Sequence, residues 1–297
     1  MEKILKTIGS ILTAALLALS TFVGAIVDYQ EAPLKKENFL EPVSSQTFGL
    51  FDTYLRGQSV ATDGKVYYFS SNYGLIKTEL DGKTVIKSNV IAIPNELLKL
   101  GCKHIGGISY MNGKIYAPIE DSKVFQHLYI TVFDAETLEP IQSYPLPLEK
   151  QENGAPWCAV DEGKNFVYTA RRDEIEEINV YDADTMEYLY GIPVDYPVHK
   201  IQSGQLYEGV LYVTINRGDQ AIYAINMDSQ NGPVGKVRKA FGRNLVDGSE
   251  GEGFAILPTE DGALFHVLDI ASIRVAGHFL HYAFDPAAID WAAEGVE

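Results

Sequence analysis

Residues 63–71, DGKVYYFSS, join a glycine turn to a run of β-branched and aromatic residues, and four later segments repeat this arrangement. The glycines lie 46 to 53 residues apart, and the turns are Asp63-Gly64, Asn112-Gly113, Glu162-Gly163, Glu208-Gly209 and Asp261-Gly262. Asp-Gly and Asn-Gly favour tight hairpins, because both central residues of a type I′ turn need positive φ. The runs KVYYFSS, KIYAPIE, KNFVYTA, VLYVTIN and ALFHVLD are apolar or alternating over strand length. The pattern therefore predicts a repeated all-β unit built on a tight hairpin.

An aspartate follows each glycine turn by 17 to 23 residues. Two of these aspartates, Asp134 and Asp182, stand in similar phrases, TVFDAETLEP (131–140) and NVYDADTMEY (179–188). Each phrase predicts a strand, a turn in which Asp bonds its own backbone, and a return strand. Four strands per unit, at a repeat of about 40–50 residues, are typical of propeller blades. We predict an all-β fold, a β-propeller of five four-stranded blades over residues 47–285, with six blades as the alternative.

The ends of the repeat array predict how the ring closes. The fifth unit ends at residue 285 and continues as PAAIDWAAEGVE (286–297), which is a poor strand and an acidic tail. Its fourth strand is therefore missing. We expect the strand-like run TFGLFDTYL (47–55) to supply it, because N-terminal closure would remove the open sheet edge. The one helical insert that we predict in the body is residues 94–100.

The first 27 residues predict where the protein resides. Residues 7–27 carry no charge, and an apolar helix of this length spans about 30 Å, the thickness of a hydrocarbon core. Lys3 and Lys6 precede the helix, which predicts a cytoplasmic N-terminus and an extracytoplasmic body. Residues 1–27 are thus a signal-anchor or a signal peptide, and residues 28–46 a tether. The body is membrane-anchored through residues 7–27, or secreted if the segment is cleaved.

Composition excludes several classes of protein. The net charge is −16, from 24 Lys and Arg against 40 Asp and Glu, which argues against nucleic acid as the main partner. Two cysteines in 297 residues cannot staple a disulfide scaffold. Cys102 and Cys158 form either a disulfide between adjacent blades or two buried thiols, and spacing leaves both open.

A propeller gathers the starts of its innermost strands around one mouth of its channel, where we expect a binding site. The candidate ligand-binding residues precede the glycine turns: Arg56, Gln58, His104, Trp157, His199, Lys200 and Gln202. Arg56, Lys103 and Lys200 could bind carboxylates, and Trp157 offers an apolar face. The alternative is that these polar groups satisfy one another and water.

Glu252 is the candidate catalytic residue, a general acid or base at the same mouth. His104 and His199 could join it as metal ligands if the three converge, although no local chelating motif accompanies them. Cofactors are otherwise unknown, and a divalent metal stays open. His266, inside an apolar strand, is predicted to be a hydrogen-bonded core residue. His278 and His281, three apart in one strand, are predicted to face opposite ways.

Two further segments carry a resemblance to known propellers. Arg56-Gly57-Gln58-Ser59, followed by YFSSNYGLIKTEL (68–80), is similar to the opening blade of glutamine cyclotransferases. Gly251-Glu252-Gly253-Phe254 resembles their Gly-Glu-Gly-Leu segment. The chain thus resembles, over residues 47–285, extracytoplasmic propellers of the NHL, gluconolactonase–strictosidine-synthase-like and glutamine cyclotransferase-like group. The resemblance implies the fold, and the group holds hydrolases, cyclases, lectins and protein-binding platforms.

Three functions follow as hypotheses. The first is a membrane-tethered or secreted propeller that binds a small polar ligand or peptide at the channel mouth. The second is a hydrolase or cyclase with a mouth-sited, metal-assisted active site. The third is a purely structural platform for protein interaction.

Overall fold

The computed structural model describes residues 39–216, 219–228, 234–245, 249–271, 276–293 and 296. The first elements are strand β1 (Ser44–Phe48) and helix α1 (Leu50–Arg56). Blade I then contains β2 (Ser59–Thr62), β3 (Val66–Ser70), β4 (Leu75–Glu79) and β5 (Val85–Asn89). Helix α2 (Asn95–Lys99) leads to blade II, which contains β6 (His104–Ile105), β7 (Ser109–Met111), β8 (Lys114–Glu120), β9 (Leu128–Asp134) and β10 (Pro140–Pro145).

The remaining blades follow the same order from the innermost strand outward. Blade III contains β11 (Ala159–Asp161), β12 (Phe166–Thr169), β13 (Glu174–Asp182) and β14 (Tyr188–His199). Blade IV contains β15 (Ile201–Tyr207), β16 (Val210–Ile215), β17 (Ile222–Asn226) and β18 (Lys236–Phe241). Blade V contains β19 (Ser249–Thr259), β20 (Gly262–Ala271) and β21 (Gly277–Ala283), and a short 3₁₀ turn follows at Pro286–Ala288.

The five blades form the predicted all-β propeller, closed by an N-terminal strand. Strand β1 pairs antiparallel with β21, from Ser44 opposite His281 to Phe48 opposite Gly277, and gives blade V its fourth strand. The extent of this strand differs from the predicted 47–55, because the chain turns into α1 after Phe48. The helix begins with a Thr53 N–H bond to the Gly49 carbonyl at 2.9 Å. An Asp52–Arg56 ion pair, four residues apart on one face, stabilises the helix rather than an extended strand.

The aspartate turns at Asp134 and Asp182 have the predicted structure, and the glycine turns match the prediction in part. Two of the five glycine turns have positive φ at both central residues, whereas Gly163 has no positive φ. Both central residues have positive φ in the Asn112-Gly113 turn, at 51° and 76°, and in the Glu208-Gly209 turn, at 49° and 79°. Asp134 accepts backbone bonds from the turn between β9 and β10, at 2.7 Å from the Thr137 N–H. Asp182 does the same between β13 and β14, at 2.9 Å from the Thr185 N–H. Helix α2 lies within the predicted insert 94–100.

The apolar core lies at the seams between neighbouring blades. Among the described residues each of the five seams has its own cluster of buried side chains. Leu75 packs with Phe133 at the seam of blades I and II, and Phe69 with Phe279 at the seam of blades V and I. Each blade therefore depends on both neighbours to bury its two faces.

The predicted segments at the N-terminus lie mostly outside the described residues. The hydrophobic stretch 7–27 and most of the tether 28–46 belong to that part of the chain. None of the helices that the structure describes is long and apolar enough to cross a membrane. The two cysteines are described: Cys102 and Cys158 are free, buried thiols.

Candidate functional site

The innermost strands meet tightly at the ring axis. The Ser59 Oγ of blade I lies 3.1 Å from the Ser203 Oγ of blade IV, which is a contact across the axis. A Cβ on Gly107 would lie 2.5 Å from the Gln202 carbonyl oxygen, and one on Gly253 would lie 2.9 Å from the Ser59 Cα. Only glycine permits such backbone approach. The axis is therefore packed at this level, and we call the face on which the innermost strands begin the mouth face.

A buried carboxylate organises the mouth face at blades I to III. Glu120, at the end of β8, is 1% exposed. Its Oε1 lies 3.2 Å from the His104 Nδ1, and its Oε2 accepts the Ala155 N–H at 3.1 Å. The Arg172 guanidinium donates to Oε1 from the loop between β12 and β13. The His104 Nε2 lies 2.5 Å from the Gln58 Oε1, and this contact links the cluster around Glu120 to blade I.

The charge state of Glu120 follows from these contacts. Burial alone would raise its pKa, because it disfavours the ionised form. The adjacent His104 ring, the Arg172 charge and the Ala155 N–H outweigh burial, and the pKa of Glu120 is lowered. The carboxylate is therefore ionised at neutral pH and fixes the positions of His104 and Arg172.

One cationic side chain contacts this carboxylate, and two lysines lie on the same face through backbone contacts. Arg172 also donates from Nε to the Asn153 carbonyl at 3.2 Å, and its guanidinium lies 5.2 Å from the Phe125 ring centroid. Lys103 is exposed, and its N–H donates to the Glu120 carbonyl at 3.1 Å. The Lys200 N–H donates to the Asp173 carbonyl, at 3.5 Å. The backbone positions of three basic residues thus lie along the mouth face of blades II to IV, in a chain whose net charge is −16.

The structure brings Gln58 and His104 together and separates them from Arg56. Arg56 is 1% exposed and lies under β1, with its guanidinium 5.2 Å from the Phe48 ring centroid. It pairs with Asp52 on its own helix. Arg56 therefore stabilises the α1–β1 corner and has no open face toward the mouth.

Trp157 lies just before the innermost strand of blade III, and Gln202 and Glu252 lie near the starts of the innermost strands of blades IV and V. The Trp157 ring is 0% exposed, and Gly204 fits against it because a Cβ there would lie 3.1 Å from the ring. In this structure Trp157 is a core residue at the axis. Glu252 is 8% exposed and sits at a β-bulge between Gly251 and Gly253, with its carbonyl accepting from the Thr214 hydroxyl at 3.4 Å.

His199 lies at a different place from His104. It lines a cavity of about 210 Å³ between β14 and blade IV, together with Tyr196, Asp219 and Tyr223. The His104 ring is engaged by Gln58 and Glu120. In the portion of the chain that the structure describes, no group of three or more His, Cys, Asp or Glu side chains is arranged to hold a metal ion.

Sequence reasoning did not identify Glu120 and Arg172, which organise this face. Both residues adjoin the repeated strand segments. Glu120 is the last residue of the run KIYAPIE, and Arg172 follows the run KNFVYTA by two residues. A charged residue that ends an apolar strand was the available signal. Their partnership joins positions 52 residues apart and depends on blades II and III being neighbours.

Comparisons with known proteins add a fold likeness only. No family model matches the chain. No curated protein matches it either. A chain of a mitotic checkpoint complex matches 87% of this chain and 97% of its own length, at 11% identity and a TM-score of 0.43. The computationally designed Ika8 protein matches 80% of this chain and 62% of its own, at 9% identity and a TM-score of 0.37. The propeller assignment therefore rests on the strand order and closure described above.

Proposed function

We propose that the protein binds a small polar ligand or a peptide that carries a carboxylate, at the mouth face of blades II to IV. The observation that supports this most directly is the buried Glu120 carboxylate, which orients Arg172 and His104 at 26% and 19% side-chain exposure. A buried anion that holds a partly exposed guanidinium in place, with the His104 ring fixed beside it, gives a preorganised binding surface. Lys103 adjoins Glu120 through its backbone, and Lys200 lies farther along the same face. Both can add positive charge there, and charge-assisted bonds to carboxylates are among the strong ones.

A thermal melt of the full chain tests this proposal. The probes are carboxylate-bearing amino acids, dipeptides and sugar acids, each added in turn. Ligand at about 100 times its Kd stabilises a fold by about 2.7 kcal/mol, which raises the midpoint by several degrees. We expect at least one probe to do so, and Lys103→Gln and His104→Gln to weaken the effect at least tenfold in Kd.

Lys164→Gln is the matched control for these variants. Lys164 is an exposed lysine that pairs with Asp228 at 2.6 Å, and it lies in the β11–β12 turn on the opposite face of the ring. Its loss is expected to leave binding unchanged. Equal weakening in Lys164→Gln would mean non-specific charge attraction. No midpoint shift with any probe would favour the third hypothesis, a structural interaction platform.

We also propose a narrower family for this propeller, the glutamine cyclotransferase-like group, and with it a catalytic role for Glu252. The two segments that carry the glutamine cyclotransferase-like resemblance adjoin each other, because Gly253 of blade V packs against Ser59 of blade I. That adjacency favours a hydrolase or cyclase with Glu252 as acid or base. Turnover of N-terminal glutamine peptides or lactones that falls at least about 100-fold in Glu252→Gln would support it. Turnover that is unchanged would exclude Glu252.

We also propose a cellular location for the protein. Residues 7–27 are uncharged and apolar, and Lys3 and Lys6 precede them. We expect the propeller on the extracytoplasmic side, anchored through this segment or secreted after its cleavage. Protease digestion of intact cells would degrade an extracytoplasmic body and spare a cytoplasmic one.

A further inference from the structure

At the ring closure, two histidines and the closing strand are linked by one series of polar side-chain contacts. The Gln46 Nε2 of β1 lies 3.5 Å from the His281 Nε2 of β21. The His281 Nδ1 lies 2.5 Å from the His266 Nδ1 of β20, and the His266 Nε2 lies 2.9 Å from the Tyr67 hydroxyl of β3. This series of contacts therefore runs from the closing strand through blade V to blade I.

The orientation of the Gln46 amide, with its Nε2 toward His281, corresponds to one tautomer of each ring. The Gln46 Nε2 can only donate, so the His281 Nε2 accepts and its Nδ1 carries the ring proton. That proton is donated to the His266 Nδ1, and the His266 Nε2–H then donates to the Tyr67 oxygen. Both rings are neutral in this arrangement, and each ring nitrogen already has a role.

A further proton therefore cannot enter without breaking a contact. On the His281 Nε2 it would face the Gln46 amide N–H, and on the His266 Nδ1 it would face the His281 N–H. Either position sets two donors against each other and places a charge in a buried seam, where His266 is 1% and His281 7% exposed.

We propose that this histidine pair is an acid-sensitive latch on ring closure, whose protonation releases the first half of β1 from blade V. Ser44 and Ser45 at the start of the strand are exposed, whereas Phe48 at its end is buried among Phe69 and Phe279. Release therefore begins at the Ser44 end, where Gln46 is the last contact before the buried part. No group of the latch belongs to the proposed ligand site.

Among the residues that the structure describes, no carboxylate lies at hydrogen-bond distance from either ring. The titratable or charged groups on the elements that pack around it are Tyr67, His278, Asp269, the Asp52–Arg56 pair of α1, and Asp81 and Lys83 of the β4–β5 turn. Asp269 pairs with Arg243 at 2.7 Å and lies on the side of β20 that faces His278. Ala255 of β19, opposite His266, is uncharged.

The protonation equilibria agree with this geometry. Burial lowers the pKa of His281 to about 4, and burial together with the neighbouring His281 lowers that of His266 well below its usual value. Both rings bind protons more weakly in the closed state than in an opened one. Opening therefore becomes easier as the pH falls below about 6.5, the pKa of a free histidine.

Hydrogen–deuterium exchange of the full chain at about pH 7.5 and about pH 5 tests the latch. After correction for intrinsic exchange, we expect protection of the amides that join residues 44–46 to residues 279–281 to fall at least about 30-fold at the lower pH, which is 1.5 pH units for one histidine. Blade III is expected to keep its protection. Equal protection at both pH values, or an equal loss in every blade, would overturn the proposal.

Two variants and a control separate the latch from general acid sensitivity. His281→Gln removes the titrating ring, and we expect it to reduce the pH-dependent loss markedly. Tyr67→Phe keeps both rings and is expected to retain the response. His127→Gln, which alters a half-exposed histidine paired with Asp121 on blade II, is the control and should behave as wild type. A full response in His281→Gln would overturn the proposal, and if that variant fails to fold, the wild-type exchange pattern decides.

Discussion

Among the residues of the mouth face, Glu120 is the one whose substitution should lower the free energy of unfolding most. Glu120→Gln leaves Arg172 and His104 without their shared anion. Breaking a buried ion pair by removing one partner costs about 3–5 kcal/mol, and we expect about 3 kcal/mol because Arg172 is 26% exposed. Urea unfolding near neutral pH measures the loss. Glu136→Gln, at an 82% exposed side chain that pairs with Lys77, is the matched control and should change stability by less than about 0.5 kcal/mol.

The pH dependence of that difference has a definite sign. The pKa of Glu120 is lowered in the folded protein, so the carboxylate stabilises the fold above its unfolded pKa of about 4.3. That stabilisation is lost as the pH falls through the folded value. The gap in unfolding free energy between wild type and Glu120→Gln should therefore shrink below about pH 4. A gap that stays constant with pH would contradict an ionised Glu120.

Arg243 and Asp269 make a second buried ion pair, at the seam of blades IV and V. Both side chains are 0% exposed and lie 2.7 Å apart. Asp269→Asn leaves the guanidinium buried without its counter-charge, and we expect a loss of about 3–5 kcal/mol by urea unfolding. Asp228→Asn, at an exposed pair with Lys164, is the control and should be nearly neutral. Similar losses in the two variants would show that burial does not determine how much each ion pair contributes to stability.

At the scale of elements, the packing of the innermost strands depends on glycine. Gly107→Ala would place a Cβ 2.5 Å from the Gln202 carbonyl oxygen and 2.9 Å from the Trp157 Cβ. Gln202 lies in β15 and Trp157 lies just before β11, so the innermost segments of blades II, III and IV must separate. We expect a loss of about 1–3 kcal/mol in thermal or urea unfolding.

Gly163→Ala is the matched control for Gly107→Ala. A Cβ at Gly163 would meet only the Asp161 Oδ1, at 3.4 Å, in an open turn. Its effect is expected to be small or slightly stabilising, because alanine restricts the unfolded chain. Equal destabilisation at both glycines would contradict a tightly packed axis.

The elements also show how far the sequence predicts this fold. The blade number and the hairpins follow from local repetition, because each needs only residues near one another in the chain. N-terminal closure joins the two ends of the chain, and it could be predicted because the last repeat lacks its fourth strand. The extent of β1 does not, since the start of α1 depends on a Thr53 bond to Gly49 and on Arg56 packing over Phe48. Strand-like composition alone could not distinguish that helix from a continued strand.

The candidate site is less predictable than the fold, for a physical reason. Gln58 and His104 were identified because they precede glycine turns, and they do touch. Glu120 and Arg172 meet across a blade seam, and Trp157 is buried by the approach of Gly204 from blade IV. Such contacts depend on the relative placement of blades, which local patterns do not encode.

At the scale of the whole molecule, ring closure should make the blades open together. Each blade buries apolar side chains against both neighbours, and β1 joins the last blade to the start of the chain. Opening any single seam would expose two blade faces at once. We therefore expect the ring to unfold as one cooperative unit rather than blade by blade.

The two buried thiols can report on this opening. Burial, with the nearby charges of Asp121 and Glu120, raises the pKa of Cys102 to about 12, and burial also raises the pKa of Cys158. Both thiols are protonated and inaccessible near neutral pH, so an alkylating reagent should label neither in the native protein. In moderate urea we expect them to be labelled at the same rate, because one opening exposes both. Mass spectrometry of the two peptides measures the rates, and labelling of Cys102 more than about tenfold faster than Cys158 would mean that blades I and II open separately from the rest of the ring.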